Sequence, residues 1–196
     1  IVTTEIRRVP KLLECDSKSL FGAVIQASQL GLEPGSGLGH AYLIPYGKEC
    51  QLIIGYRGMI DLARRSGQMI SLTGEAVYAK DRFEYELGLD PKLKHVPSTH
   101  AERGELVYAY AVARLKDGGV QFIVMSRSEI ERIRARSRAG KSGPWVTDYD
   151  AMAIKTAIRR LFKYLPVSIE LQRAVVLDEA ADRGEQASAS VLACDS

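Results

Sequence analysis

The segment Leu106–Leu115 constrains the fold more than any other. Tyr108, Tyr110 and Val112 alternate there with Val107, Ala109 and Ala111, so both faces of the strand are apolar. A strand with one solvated face carries polar residues at every second position, and this one therefore reads as central. Asp117-Gly118 then turns the chain into a second strand over 120–125, the clearest hairpin in the sequence. Shorter strands are expected over 41–45 and 51–55, around the turn Tyr46-Gly47-Lys48-Glu49, and over 69–78 and 82–87. Residues 88–103, rich in Pro, Gly, His and charge, read as an exposed excursion.

Helical spacing accounts for the rest. A helix over 19–30, capped by Asp16 or Ser17, lines up Leu20, Val24, Ala27 and Leu30, and Gly31 stops it. A second over 56–66 turns Met59, Ile60, Leu62 and Ala63 inward. A third begins after Ser126 or Ser128 and runs to 137, where 138–145 forms a loop. Asp148 or Asp150 opens a fourth, which Pro166 ends, and a short one is expected over 169–177. The fold class is α+β: mostly antiparallel hairpins and sheet packed with helices. Residues 1–177 form one core, and 178–196 read as a flexible tail too polar to pack.

With 46% hydrophobic residues the chain can bury a full core. Its longest apolar run ends at Arg114, far short of the roughly 18 residues of a membrane span. The first residues lack the apolar centre of a secretory signal, and with no initiator Met the numbering is expected to begin inside a longer protein. Cys15, Cys50 and Cys194 are odd in number and far apart, which favours free thiols in a reducing cytoplasm.

Charge is unevenly placed. Between Arg127 and Lys163 lie ten Lys/Arg and four Asp/Glu, on a chain of net charge +3, so the remainder is acidic. Such a separation makes one positive surface, the usual footprint for a polyanion, with nucleic acid the leading candidate. In the helix from about 150 to 165, Ala151, Ile154, Ile158, Leu161 and Leu165 form an apolar seam. Lys155, Arg159 and Lys163 follow one another four apart on a different face, which Arg160 widens. Like charges at this spacing repel unless an anion lies across them. A plain solvated face is the competing reading. The neighbouring Arg132, Arg134, Arg136, Arg138 and Lys141, leading into Gly140-Lys-Ser-Gly-Pro-Trp145, favour the anion.

Other chemistry finds little support. Gly140-Lys141-Ser142 lacks the first glycine of a P-loop, which would fall at Ala135, and follows a helix where a P-loop follows a strand. Gly35-Ser-Gly37-Leu-Gly39 joins a helix to a strand, the reverse of a dinucleotide fold. Neither supports ATP or NAD, and no cofactor is expected. His40, His95 and His100 are scattered, no C-x-x-C or compact carboxylate cluster suggests a metal, and a lone loop histidine reads as a surface residue. No catalytic residue is assigned.

Several long blocks carry a resemblance: Thr3-Thr4-Glu5-Ile6-Arg7, Gln29-Leu-Gly-Leu-Glu-Pro-Gly-Ser36, Gly39-His-Ala-Tyr-Leu43, the run from Gln51 through Gly55-Tyr56-Arg57-Gly58 to Arg64, Gly143-Pro-Trp145, and Lys155-Thr-Ala-Ile-Arg-Arg-Leu-Phe-Lys-Tyr-Leu165. Together, and in this order, they resemble the RecT group of phage recombinases, related to Redβ, from the first residue to about 177. The resemblance implies a single-strand annealing protein, not an enzyme. Such proteins coat single-stranded DNA, assemble into rings or helical filaments, and pair the DNA with its complement without ATP. It further implies a basic helix lining a DNA groove, with Lys141, Lys155, Arg159, Arg160 and Lys163 as phosphate contacts and Arg57 and Arg64 as second-rank ones; the basic cluster itself adds Arg136 and Arg138 as DNA-binding candidates. Implied partners are single-stranded and annealed duplex DNA, other copies of the chain, a phage exonuclease and a host single-strand-binding protein, in the bacterial cytoplasm and away from membranes. Family members carry a further N-terminal segment that helps subunits pack, and this chain is expected to begin beyond it.

Trp145, Tyr149 and Tyr164 are the aromatics near the basic stretch that could stack on bases, although an aromatic beside an apolar seam is more often core. The residues alone leave two other readings open: a single-strand or RNA-binding module that does not anneal, and a DNA-processing enzyme with a dispersed site.

Overall fold

The computed structural model describes residues 2–185. Leu106–Leu115 (β6) is the middle strand of a three-stranded antiparallel sheet, between Met69–Tyr78 (β3) and Val120–Ser126 (β7). Before this sheet come helix α1 (Val2–Arg8), a 3-10 turn at Pro10–Glu14, helix α2 (Ser17–Gln29), the hairpin β1 (Ala41–Tyr46) and β2 (Glu49–Ile54), and helix α3 (Tyr56–Arg65). A second hairpin, β4 (Arg82–Glu86) and β5 (Lys92–Val96), is inserted between β3 and β6. After β7 come α4 (Arg127–Arg136), the single turn α5 (Pro144–Thr147), α6 (Tyr149–Leu161) with a 3-10 extension at Phe162–Tyr164, and α7 (Ile169–Arg183). The architecture is α+β.

The two apolar faces of β6 are covered by different elements. On one face, cross-strand pairing sets Leu72 opposite Ala113, Gly74 opposite Ala111 and Ala76 opposite Ala109. Residues directly opposite share a face, so apart from Leu72 this surface is built of small side chains. Helix α6 lies on it. A Cβ at Gly74 would come within 2.7 Å of Ile154 Cγ2 and 3.0 Å of Ile158 Cδ1, so the glycine sets how closely α6 approaches the sheet. On the other face, Tyr108 and Tyr110 meet the β4–β5 hairpin, with the Phe83 ring 5.5 Å from Tyr108 and 5.6 Å from Tyr110. Aromatic pairs at such separations add to the burial of their area.

The expected excursion over 88–103 is corrected by this hairpin, since it contains β5. Leu93 and His95 turn inward while Lys92, Lys94 and Val96 face out, and a polar inward residue hides the alternation. His95 is not a surface residue: its side chain is 7% exposed and bridges the Tyr110 hydroxyl and Asp81. Asp81 ties the base of the hairpin to the core, accepting from the backbone N–H of Tyr78 (2.9 Å) and Ser98 (2.8 Å) and from Arg103 Nε (2.9 Å). Hydrogen bonding from Arg103 first, then from the Ser98 and Tyr78 N–H groups and His95, outweighs burial and holds its carboxyl well below the usual carboxylate range.

Helix ends follow local signals. The Asp16 carboxylate accepts from the Ser19 N–H at 3.1 Å, and Ser126 with Glu129 forms a capping box on α4. Two expectations at the termini change. The first residues form α1, for which no helix was expected. Helix α7 does not stop at Leu177 but continues to Arg183, where Gly184 closes it in a left-handed conformation. Asp178, Ala180 and Ala181 are buried, so α7 continues to pack past Leu177, and the expected tail over 186–196 lies outside the described residues.

Gly74→Val should lower stability by about 1–3 kcal/mol in urea denaturation, because the added carbons overpack the α6 contact. Asp81 generates a pH prediction. A depressed folded-state pKa stabilises fully above the unfolded value of roughly 3.9 and ceases to do so as pH falls towards the folded value. The gap in urea midpoint between the parent protein and Asp81→Asn should therefore be widest near neutrality and narrow below about pH 4.

Candidate nucleic-acid interface

Helix α6 turns Ile154, Ile158 and Leu161 towards the sheet and presents its basic residues in two directions. Lys155 and Arg159 point at α7 and not at solvent, being 3% and 7% exposed. There Lys155 Nζ donates to Asp178 Oδ1 at 2.7 Å. Arg159 Nη1 donates to Asp178 Oδ2 at 3.1 Å and also to Asp182. The backbone N–H of Ile54 donates to Asp178 Oδ1 at 3.0 Å, so one carboxylate joins β2, α6 and α7. Burial acts to lower the Arg159 pKa, but the Asp178 and Asp182 carboxylates outweigh it and hold the guanidinium above its ordinary value. The expected single row of solvent-facing cations is thereby corrected: Lys155 and Arg159 are internal ion-pair partners.

The outward cations surround a groove of about 450 Å³ between α4, α6 and α7. Arg136 enters from the end of α4, and Arg160, Lys163 and Tyr164 from α6 and its extension. Glu179, Asp182 and Arg183 enter from α7. Arg160 reaches Glu129 at 3.4 Å, and Lys163 reaches Glu179 at 3.5 Å while remaining 61% exposed. Arg136 donates from Nε to the Arg132 carbonyl at 3.2 Å. Four of the expected residues (Arg136, Arg159, Arg160 and Lys163) line this groove, although Arg159 is pinned into its wall. The sequence reading missed Arg183, Glu179 and Asp182 because it ended α7 too early. The available signal was the spacing Leu171, Ala174, Val175, Asp178 and Ala181, which runs unbroken past Leu177.

The loop between α4 and α5 is fastened from both sides. Arg134 donates from Nε to the Gly140 carbonyl at 2.7 Å, and a Cβ on Gly140 would fall 2.2 Å from the Arg134 carbonyl, so this glycine serves close backbone packing. The Arg138 N–H donates to the Asp182 carbonyl at 2.8 Å while its guanidinium lies 5.1 Å from the Tyr46 ring centre. Lys141 is exposed. Trp145 is core, at 1% exposure, and the half-buried Tyr149 lies beneath Arg134, its hydroxyl pushed up to about 12 by burial and by Glu131. Only Tyr164, among the three aromatics singled out, opens to solvent. Arg57 and Arg64 are exposed on α3 and do not line the groove. Arg57 Nε reaches the Tyr56 hydroxyl at 3.4 Å.

Burial, then the neighbouring Cys15, pushes the Cys50 thiol up to about 12. Among the described residues, no group of three or more His, Cys, Asp or Glu is arranged to hold a metal ion.

The model of the RecT family matches residues 1–191. The chain belongs to the RecT family. It is 61% identical over 187 residues to Protein RecT of Escherichia coli strain K12, a match covering 91% of this chain and 69% of that protein. It is also 28% identical over 176 residues to the uncharacterized protein YqaK of Bacillus subtilis strain 168, covering 88% of this chain and 60% of that protein's length. As a RecT-family chain it is a DNA-recombination protein. No helix among its described residues is long and apolar enough to cross a membrane.

Removing the central carboxylate strands buried Lys155 and leaves Arg159 with only Asp182 and Glu179. Asp178→Ala should cost about 3–5 kcal/mol in denaturant unfolding, the range for breaking one side of a buried ion pair. Lys155→Ala with Arg159→Ala should also lower the unfolding midpoint, where a solvent-facing pair would leave it unchanged.

Proposed function

We propose that this RecT-family protein binds single-stranded DNA along the groove between α4, α6 and α7 and anneals complementary strands without ATP. The observation that carries the reading is the convergence of Arg136, Arg160, Lys163 and Arg183 from three helices on one groove. Arg138 and Lys141 extend the positive surface along the adjoining loop, and Arg57 and Arg64 remain second-rank contacts on α3. Lys155 and Arg159 act from behind, holding α6 and α7 in the positions that shape the groove.

The chemistry suits annealing. Lysine and arginine contacts to phosphates carry no sequence information, so the backbone is held while base edges stay free to pair. Each neutralised phosphate lowers the repulsion between two strands, and base pairing itself supplies the driving force, so no hydrolysed nucleotide is needed. Tyr164, 64% exposed beside the groove, is placed to stack on a base. The protein would act without catalysis, as a ring or helical filament on single-stranded DNA and annealed duplex. A phage exonuclease and a host single-strand-binding protein would be its partners in the bacterial cytoplasm.

A pairing assay with two complementary labelled oligonucleotides, lacking nucleotide and run with and without divalent metal, tests the proposal. Nucleotide-free pairing is expected. Binding without pairing would leave a protective module, and metal-dependent cleavage would replace the reading with an enzyme. Arg160→Ala with Lys163→Ala should keep the parent unfolding midpoint and weaken binding. It should also flatten the slope of log affinity against log salt by about 1.4, two single-strand phosphate contacts.

A further inference from the structure

The groove carries its own counter-charges, and one of them faces Lys163, a cation placed to meet phosphate. Glu179, whose side chain is 26% exposed, lies 3.5 Å from Lys163 Nζ and 4.0 Å from Arg159 Nε. One helical turn further on, Asp182 pairs with Arg159. Both acids come from α7, and both cations from α6 and its extension. The helix pair thus sets carboxylates across from a cationic row, and a carboxylate oxygen and a phosphate oxygen make the same charge-assisted hydrogen bonds. Asp178 is different in kind, because it is fully buried and also holds the Ile54 N–H. Glu179 is less committed, being partly exposed and farther from buried Arg159 than from Lys163. It sits at the solvent edge of the groove, and its ion-pair partners there are the cations named above.

We propose that Glu179, with Asp182 behind it, is a built-in competitor for phosphate that sets the affinity of this groove and its preference for a continuous backbone. The inference rests on the DNA-binding reading above and adds its regulation. An internal carboxylate is always present at high effective concentration, so a lone phosphate ion gains little by displacing it. A polynucleotide gains more. It meets Arg136, Arg160 and Arg183 at the same time as Lys163, and the linked contacts together offset the exchange at Glu179. The carboxylate thereby discriminates against short anions and keeps binding to long strands reversible enough for two strands to be brought into register.

The test is fluorescence anisotropy of a labelled oligothymidylate and of a labelled dinucleotide at several salt concentrations, with thermal melts of each protein. Glu179→Gln, at a partly exposed position, should melt near the parent temperature. It should bind the long strand about two- to fivefold more tightly, the range set by a partly exposed ion pair. Its salt slope should match the parent's, because Lys163 already contacts one phosphate there and only the exchange at Glu179 is removed. The dinucleotide should gain by a larger factor than the long strand, and Glu179→Asp should stay close to the parent. In a Lys163→Gln background the effect of Glu179→Gln should vanish, as coupling between the two residues requires. Parent-like affinity for both ligands in a folded Glu179→Gln protein, while the parent binds the long strand, overturns this inference and leaves the DNA reading standing. Absence of salt-dependent binding in the parent as well as the variant overturns the groove reading, and the inference falls with it.

Discussion

The Asp178 carboxylate is the constraint on which the rest of this structure depends. It is fully buried and takes one hydrogen bond from the backbone of β2 and two from side chains of α6. A buried charge is stable only when paired and hydrogen-bonded on every side, and Asp178 meets that condition with Lys155, Arg159 and the Ile54 N–H. Because it stands on α7, the same contacts fix where α7 lies against the β1–β2 hairpin and α6. The groove is the outer consequence of that inner clamp.

The clamp divides the basic residues of α6 into two groups. Lys155 and Arg159 are structural, and their charge is spent inside the protein. Arg160 and Lys163 stay at the surface, with Arg136 and Arg183 across the groove. A positive surface built this way is less charged than the sequence count suggests, because several cations already have carboxylate neighbours: Glu129 for Arg160, Glu179 for Lys163 and Glu185 for Arg183. Binding to a polyanion then becomes an exchange of partners, which fits a protein that must hold a strand and also let it move into register.

The sheet explains how such a clamp is placed with accuracy. Glycine and alanine on one face of β3 and β6 let α6 settle close, so its far side meets α7 at a fixed distance. The aromatic face of β6 is sealed by the β4–β5 hairpin, whose base is held by Asp81. Each face of the central strand thus has its own kind of cover, one fitted by small side chains and the other by stacked rings.

Strands β3, β6 and β7, helices α2, α3 and α4, and the run of cations on α6 were all legible in the chain, because each depends on local periodicity, a cap or a turn residue. The family relationship was legible for a related reason, since long blocks of identity survive in linear order. Strand β5 was obscured by His95 facing inward, and the length of α7 by a composition that reads as solvent-loving. Which cations face water was beyond local pattern altogether: Lys155 and Lys163 lie two turns apart on one helix, yet one is buried and the other exposed. The sequence by itself determined most of the elements, the excess of positive charge and the kinship. Only the tertiary structure decided which charges are spent in the core and which remain for a ligand, because an ion pair such as Lys155–Asp178 joins residues far apart in the chain that meet only when the helices pack.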